Sequence, residues 1–147
     1  MIHYIKGDAT NPIGNGEKVI IHICNNIGAW GAGFVVALSN KWPTTKSSYL
    51  NWKNPTLCMI QKLKVEQDIF VINMIAQNNI RSKNNPTPIR YDALEACLIK
   101  VVLNIPTNAS IHMPRIGCGL AGGSWDKVEK IINKTIQLNQ VYVYDLT

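Results

Sequence analysis

Two loops carry the residues whose types and spacing could do chemistry. The first is Asn25-Asn26-Ile27-Gly28-Ala29-Trp30-Gly31-Ala32-Gly33-Phe34, and the second is Pro114-Arg115-Ile116-Gly117-Cys118-Gly119-Leu120-Ala121-Gly122-Gly123. Each follows an apolar run, is rich in glycine and opens into a helical pattern. Glycine lets backbone N–H groups approach an anion closely, and a helix N-terminus adds a favourable dipole. Two such loops side by side suit a ligand with two phosphates and two sugars. The second loop contains G-x-G-x-x-G at Gly117, Gly119 and Gly122. A dinucleotide dehydrogenase also needs an acid about 20 positions later and a second mononucleotide half. Too few residues follow Gly123 to build that half, so the motif reads against such an enzyme. No G-x-x-x-x-G-K-[ST] occurs, which excludes a P-loop kinase or ATPase by motif.

Outside the glycines, each polar candidate has two readings. Asn26 stands in the first loop, where it could bind a ligand or orient a reacting water. Gln77 ends an apolar run that points at the same cleft; its amide could position a water or a sugar hydroxyl, or cap the strand. Asp126 falls in the first turn of a helix, which favours an acid whatever its function. His22 and His112 alternate with apolar neighbours, as hydrogen-bonded core histidines do. Trp30 and Phe34 could cover a bound sugar or pack the loop down. Arg81-Ser82-Lys83 reads as a solvated surface, or as a guide for a charged substrate or nucleic acid.

The elements that must position these residues follow from the hydrophobic pattern. Residues 2–6 predict a strand, and Lys18 to Cys24 (KVIIHIC) predicts one buried on both faces. A helix is expected from Phe34 to Lys41, then another with Pro43 in its first turn, carrying Tyr49 and Trp52. Leu57–Val65 and Asp68–Gln77 predict paired strands with a tight Glu66-Gln67 connection. Residues 78–88 are polar and proline-bearing, so they predict a loop. A helix at 89–104 places Leu94, Leu98, Val101 and Val102 on one face. Ser110–Pro114 is a strand. Ser124 is a good N-cap for a helix at 125–138, whose Val128, Ile131, Ile132 and Ile136 share a face. Val141–Leu146 closes the pattern as a strand. The expected fold is α/β, one three-layer α/β/α domain over residues 1–147 with a mixed central sheet.

The chain has 147 residues, 46% hydrophobic and 16% charged, which is the composition of one globular core rather than a disordered chain. Fifteen basic against nine acidic side chains give a formal +6, which favours anionic partners such as nucleotides, nucleic acid or phosphorylated metabolites. Aromatics at 7% weaken a single-strand stacking platform. Cys24, Cys58, Cys97 and Cys118 form no C-x-x-C pair, which argues against zinc and for a reducing compartment. The start of the sequence has no leader pattern, and no apolar run approaches the roughly 20 residues of a membrane span. The expectation is a cytoplasmic monomer without metal, cofactor or membrane contact.

The order Gly7-Asp8-Ala9-Thr10, then Asn25-Asn26 with Gly28 to Gly33, then Met113-Pro114-Arg115-Ile116-Gly117-Cys118-Gly119-Leu120 resembles a macrodomain, a family of ADP-ribose-binding domains. It is most similar to the branch of the terminal ADP-ribose glycohydrolase and the yeast-type ADP-ribose 1''-phosphate phosphatase, with their bacterial and phage relatives. The similarity runs from Gly7 to Leu146, and Pro-Arg-Ile-Gly-Cys-Gly-Leu is its specific part. It implies that Asp8 accepts a hydrogen bond from the adenine amino group, with the Ala9 amide beside it and Leu146 packed on the base. Gly31, Ala32, Gly33 and Phe34 would wrap the distal ribose and one phosphate, with Asn25, Asn26 and Trp30 beside them. Ile116, Gly117, Cys118, Gly119 and Leu120 would cradle the diphosphate, flanked by Pro114, Arg115 and Ala121.

The sequence departs from the glycohydrolase. Where that enzyme has its lysine and aspartate, this chain has Gln77 and Ala121, so its lysyl mechanism does not carry over. What the resemblance leaves is hydrolysis at the distal ribose, of the 1''-phosphate or of an ester-linked ADP-ribosyl group. Asn26, Gln77 and Asp126 are the catalytic candidates. The ligand would be a free metabolite or an ADP-ribosylated macromolecule. The alternative is a non-catalytic ADP-ribose reader, and a more distant one is a nucleic-acid-binding domain.

Overall fold

A run without polar alternation must be covered on both sides, and Val19, Ile20 and Ile21 are fully buried. In the computed structural model, which describes residues 2–147, this run is strand β2 (Lys18–Asn25), preceded by β1 (Ile2–Lys6). Helices α1 (Phe34–Lys41) and α2 (Pro43–Leu50) follow, then the hairpin β3 (Ile60–Glu66) and β4 (Ile69–Gln77). Helix α3 (Tyr91–Leu103), β5 (Ser110–Met113), α4 (Trp125–Thr135) and β6 (Val141–Asp145) complete the chain. The six strands form one mixed sheet in the order β1-β6-β5-β2-β4-β3. Every neighbouring pair is parallel except β3 with β4.

Successive strand residues point to opposite faces, and the core divides accordingly. On one face Val19, Ile21, Ile72, Met74, Ile111, Val141 and Val143 pack under Leu94, Leu98 and Val101 of α3 and Val128 and Ile132 of α4. Each such side chain contributes about 1.5–3 kcal/mol by burial. On the other face Leu38 and Trp42 sit on Ile20 and Val71, and Tyr49 sits on Cys24 and Ile75. The sheet thus lies between two helix layers, a three-layer α/β/α arrangement.

Beyond the reach of α1 and α2, that second face carries a cross-strand stack. Tyr142 lies 4.9 Å from His3 and 5.1 Å from His112, ring on ring. His112 Nδ1 and the Tyr144 hydroxyl are 2.6 Å apart, and the same hydroxyl accepts the Ile13 N–H at 3.0 Å. This chain of contacts ties the segment after β1 down onto the sheet.

Several boundaries differ from expectation, each for a local reason. Strand β3 begins at Ile60 because Cys58 takes a positive φ of 78° that no ladder accommodates. The tight connection is Gln67-Asp68, one residue later than expected, since Glu66 still pairs with Ile69. Helix α2 ends at Leu50, leaving Trp52 beyond it. Helix α3 starts at Tyr91 because Ile89 and Arg90 donate instead to the Ala121 and Ala76 carbonyls, at 3.1 and 2.8 Å. Strand β5 stops at Met113, as Pro114 brings no N–H to a ladder. Helix α4 ends at Thr135, whose hydroxyl bonds back to the Ile131 carbonyl at 2.8 Å, and Ile136 is extended. Ser124 occupies the N-cap position but its side chain makes no capping hydrogen bond; its N–H donates to the Tyr91 hydroxyl at 3.0 Å.

Candidate functional site

Because β1, β6, β5, β2 and β4 run parallel, their carboxyl ends meet along one edge of the sheet, where open α/β sheets take their ligands. A cavity of about 490 Å³ opens there. Its floor is His22, Ile23, Cys24 and Asn25 at the end of β2. One wall is Ala29 to Val35, and the other is Pro114 to Gly117 with Gly119 to Ala121. Gln77, Ile80 and Arg81 close the far end.

Asn25 builds the first wall. Its Oδ1 accepts the N–H groups of Ile27 and Ala29 at 3.1 and 3.0 Å and the Tyr49 hydroxyl at 2.8 Å, while its Nδ2 donates to the Ala29 carbonyl at 2.7 Å. These bonds fold the loop around the Asn25 side chain. Trp30 and Phe34 then pack on His22, with ring centroids 5.5 and 6.0 Å away, so both line the cavity and hold the loop down.

The second wall folds on itself through Gly123 N–H to the Gly117 carbonyl at 2.7 Å and Gly122 N–H to the Gly119 carbonyl at 3.0 Å. Three positions require glycine. Gly117 has a φ of 77°, and a side chain there would meet Ile89. Gly122 has a φ of 73°, and a Cβ there would strike the Pro86 carbonyl. A Cβ on Gly123 would strike the Gly117 carbonyl.

The consequence is a set of unused donors. Within the described residues, the amides of Gly31 to Val35 and of Gly117 to Ala121 have no hydrogen-bond partner. Two segments with unpartnered N–H groups, one of them opening α1, thus border the cavity, an arrangement that can take an anion. His22 beneath them is 2% exposed, and its ring nitrogen is hydrogen-bonded to Asn73 Oδ1. Burial drives its pKa down to about 4, so it is neutral at pH 7 and adds no charge to the floor.

The remaining expected site residues fall in distinct places. Asp8 and Ala9 stand just past β1, and Leu146 just past β6, beyond the cavity wall. One Asp8 oxygen accepts the Thr10 N–H and hydroxyl, both at 2.8 Å. Asn26 is not in the wall. Its Nδ2 donates to Asn78 Oδ1 at 2.9 Å and its Oδ1 accepts the Asn79 N–H at 2.8 Å, so it fastens the 78–79 segment. Gln77 is in the wall, its Nε2 held by the Asn79 carbonyl at 3.1 Å, and its Oε1 accepts nothing from the described residues. Cys118 lies behind the wall, its thiol on the Ile116 carbonyl at 3.4 Å. Asp126 is exposed in the first turn of α4, also outside the wall.

Arg115 borders the cavity, yet its guanidinium forms a two-point pair with Asp145, at 2.8 and 2.9 Å, over the Tyr4 and Trp125 rings. That pairing holds the Asp145 carboxyl below its usual range. Arg81, whose segment reads in sequence as solvated surface or as a guide for a charged substrate or nucleic acid, stands in the wall beside Ile80. A basic residue in a polar loop carries no periodic signal of where it points. Among the described residues no cluster of three His, Cys, Asp or Glu could hold a metal ion.

The same fold recurs in known proteins. No family model matches the sequence. The chain is 31% identical to the ADP-ribose 1''-phosphate phosphatase of Candida albicans, over 97% of this chain and 99% of that protein. A Bacteroides thetaiotaomicron protein of unknown function superposes with a TM-score of 0.93 at 50% identity, covering 99% of this chain and 98% of the other. A macrodomain protein from Streptomyces coelicolor does so with a TM-score of 0.83 at 39% identity, covering 99% of both. With the sheet order, the paired glycine loops and these full-length likenesses in agreement, the chain belongs to the macrodomain family.

Proposed function

We propose that the cleft binds ADP-ribose and that the protein hydrolyses an ADP-ribose derivative at the distal ribose, with ADP-ribose 1''-phosphate as the leading substrate. The observation that carries this reading is the pair of segments with unpartnered amides, Gly31 to Val35 and Gly117 to Ala121, bordering one cavity. A diphosphate between them would accept from both, with a sugar on either side. The Candida albicans relative is named for hydrolysis of this compound.

The wall contains no carboxylate among the described residues, and His22 is neutral and engaged below. Catalysis therefore draws on orientation rather than on a strong base. The free Oε1 of Gln77 would hold a water in line with the phosphorus. The water forms a new P–O bond as the bond from phosphorus to the ribosyl oxygen breaks, and that oxygen leaves as the 1''-hydroxyl with the proton the attacking water gives up. Asn26 serves by fixing the Asn78-Asn79 segment against which Gln77 rests. The lack of an acid in the wall favours a second reading, a reader that binds ADP-ribose without turnover. Cytoplasmic, monomeric action is part of the proposal; the unpaired thiols of Cys24, Cys58, Cys97 and Cys118 fit a reducing compartment.

Release of inorganic phosphate from ADP-ribose 1''-phosphate separates the two. The expected result is release by the wild type, a fall in kcat of at least about tenfold for Gln77→Ala, and a change within about twofold for the off-wall Asp126→Ala. Retained ADP-ribose binding without any release would leave the reader and remove the hydrolase.

A further inference from the structure

The cavity wall holds only two cations, Arg81 and Arg115, among the described residues. Arg115 is committed to Asp145. Arg81 forms no ion pair and no side-chain hydrogen bond with any described residue, so it is the unspent charge of the site. Its place is built rather than accidental. Asn85 Nδ2 donates to the carbonyls of Asn78 and Ile80 at 2.8 and 3.1 Å, and Ser82 and Asn85 exchange backbone hydrogen bonds at 3.1 and 3.0 Å. Asn26 grips the Asn79 N–H, and Asn78 N–H reaches the Pro88 carbonyl at 2.8 Å. The loop that carries Arg81 is thereby pinned at the end of β4 with Ile80 and Arg81 facing the cavity.

The strand order gives the cleft a polarity. Asp8 follows β1 and Arg81 follows β4, and these strands lie four places apart in the sheet, roughly 19 Å. An ionised carboxylate only accepts hydrogen bonds and repels phosphate, so it suits an amino group on a base. A free guanidinium does the reverse, offering a planar fork of donors to phosphate oxygens. A nucleoside diphosphate sugar between the two amide segments then lies with its base toward Asp8 and its terminal sugar toward Gln77 and Arg81.

We infer that Arg81 is a specificity-determining residue for a phosphate on the terminal sugar, selecting phosphorylated ADP-ribose over ADP-ribose itself and over uncharged ester-linked derivatives. This inference rests on the ADP-ribose reading of the cleft and names the substrate class that the cleft prefers. Because Arg81 is exposed at the rim, the preference weakens as salt rises. Arg81→Lys keeps the charge but loses the fork, so it retains part of the preference.

The test is calorimetric titration of wild type, Arg81→Gln and Arg81→Lys with ADP-ribose and with its 1''-phosphonate, in which carbon replaces the bridging oxygen and hydrolysis is blocked. The wild type should bind the phosphonate at least about tenfold more tightly than ADP-ribose at low salt. Arg81→Gln should erase that ratio while ADP-ribose affinity shifts by less than about threefold, and Arg81→Lys should fall between. A wild type with equal affinity for both ligands, or an Arg81→Gln variant that keeps the ratio, overturns the inference and leaves the ADP-ribose reading standing. A wild type that binds neither ligand overturns that reading, and the assignment of Arg81 with it.

Discussion

Gly119→Glu should abolish ADP-ribose binding and leave the fold intact. Gly119 lies in the cavity wall, and a Cβ built there meets nothing within 4 Å, so the new side chain enters open space without displacing protein atoms. Its backbone is not in the left-handed region, so no conformational strain accompanies the change. The carboxylate lands among the free amides of Gly117 to Ala121. There it fills the space of the diphosphate, repels it and competes for its donors. Affinity should fall more than about a hundredfold, roughly 2.7 kcal/mol, in calorimetric titration. The melting temperature should stay within about 2 °C of wild type. Gly123→Ala has the opposite signature, because its Cβ collides with the Gly117 carbonyl that organises the loop. It should destabilise by about 1–3 kcal/mol and weaken binding only through that distortion. Undiminished affinity in Gly119→Glu would mean that the ligand sits elsewhere.

Acid should unfold the protein through its buried histidines. His22 is 2% exposed and His112 is fully buried, and burial lowers both from 6.5 to about 4. The unfolded chain takes up these protons from pH 6.5 downward, whereas the native chain resists until about pH 4. The unfolded state binds more protons in that window, so stability is fully present above pH 6.5 and declines as pH falls. The slope reaches about 1.4 kcal/mol per pH unit for each histidine. Two such groups remove several kcal/mol by pH 4, a large share of the roughly 5–15 kcal/mol that holds a domain folded. Urea midpoints at pH 7.0, 5.5 and 4.5 should drop in that order, as set by this linkage. His112→Gln should flatten the slope by about half. Asp145, whose pKa is lowered by Arg115, adds its own loss only below the ordinary carboxylate range, so the windows are separate. A midpoint constant from pH 7 to 4.5 would contradict the neutral buried state of both rings.

Both effects trace to features visible in the residues themselves. Glycine spacing after an apolar run marked the two cavity walls, because close backbone approach to an anion is a requirement that few other residues meet. The run Lys18 to Cys24 announced a central strand, because it has no polar face to give to solvent. The sheet order was not legible: which strands become neighbours depends on packing across the domain. The roles of Asn25 and Asn26 were also hidden. An asparagine that folds a loop and one that touches a ligand look alike in sequence, and here the side chains of both are engaged with protein. Arg81 shows the reverse case. It lies in a polar loop without periodicity, and its place in the wall follows from hydrogen bonds made by Asn26 and Asn85. Helix α4 ends before the apolar pattern does, because the Thr135 hydroxyl competes for its last carbonyls.

The most direct measurement is calorimetric titration of the wild-type protein with ADP-ribose. The account predicts one site per chain with micromolar affinity, about −8 kcal/mol, absent in Gly119→Glu. No heat at ligand concentrations far above micromolar, from a protein shown to be folded, would contradict the assignment of the cleft.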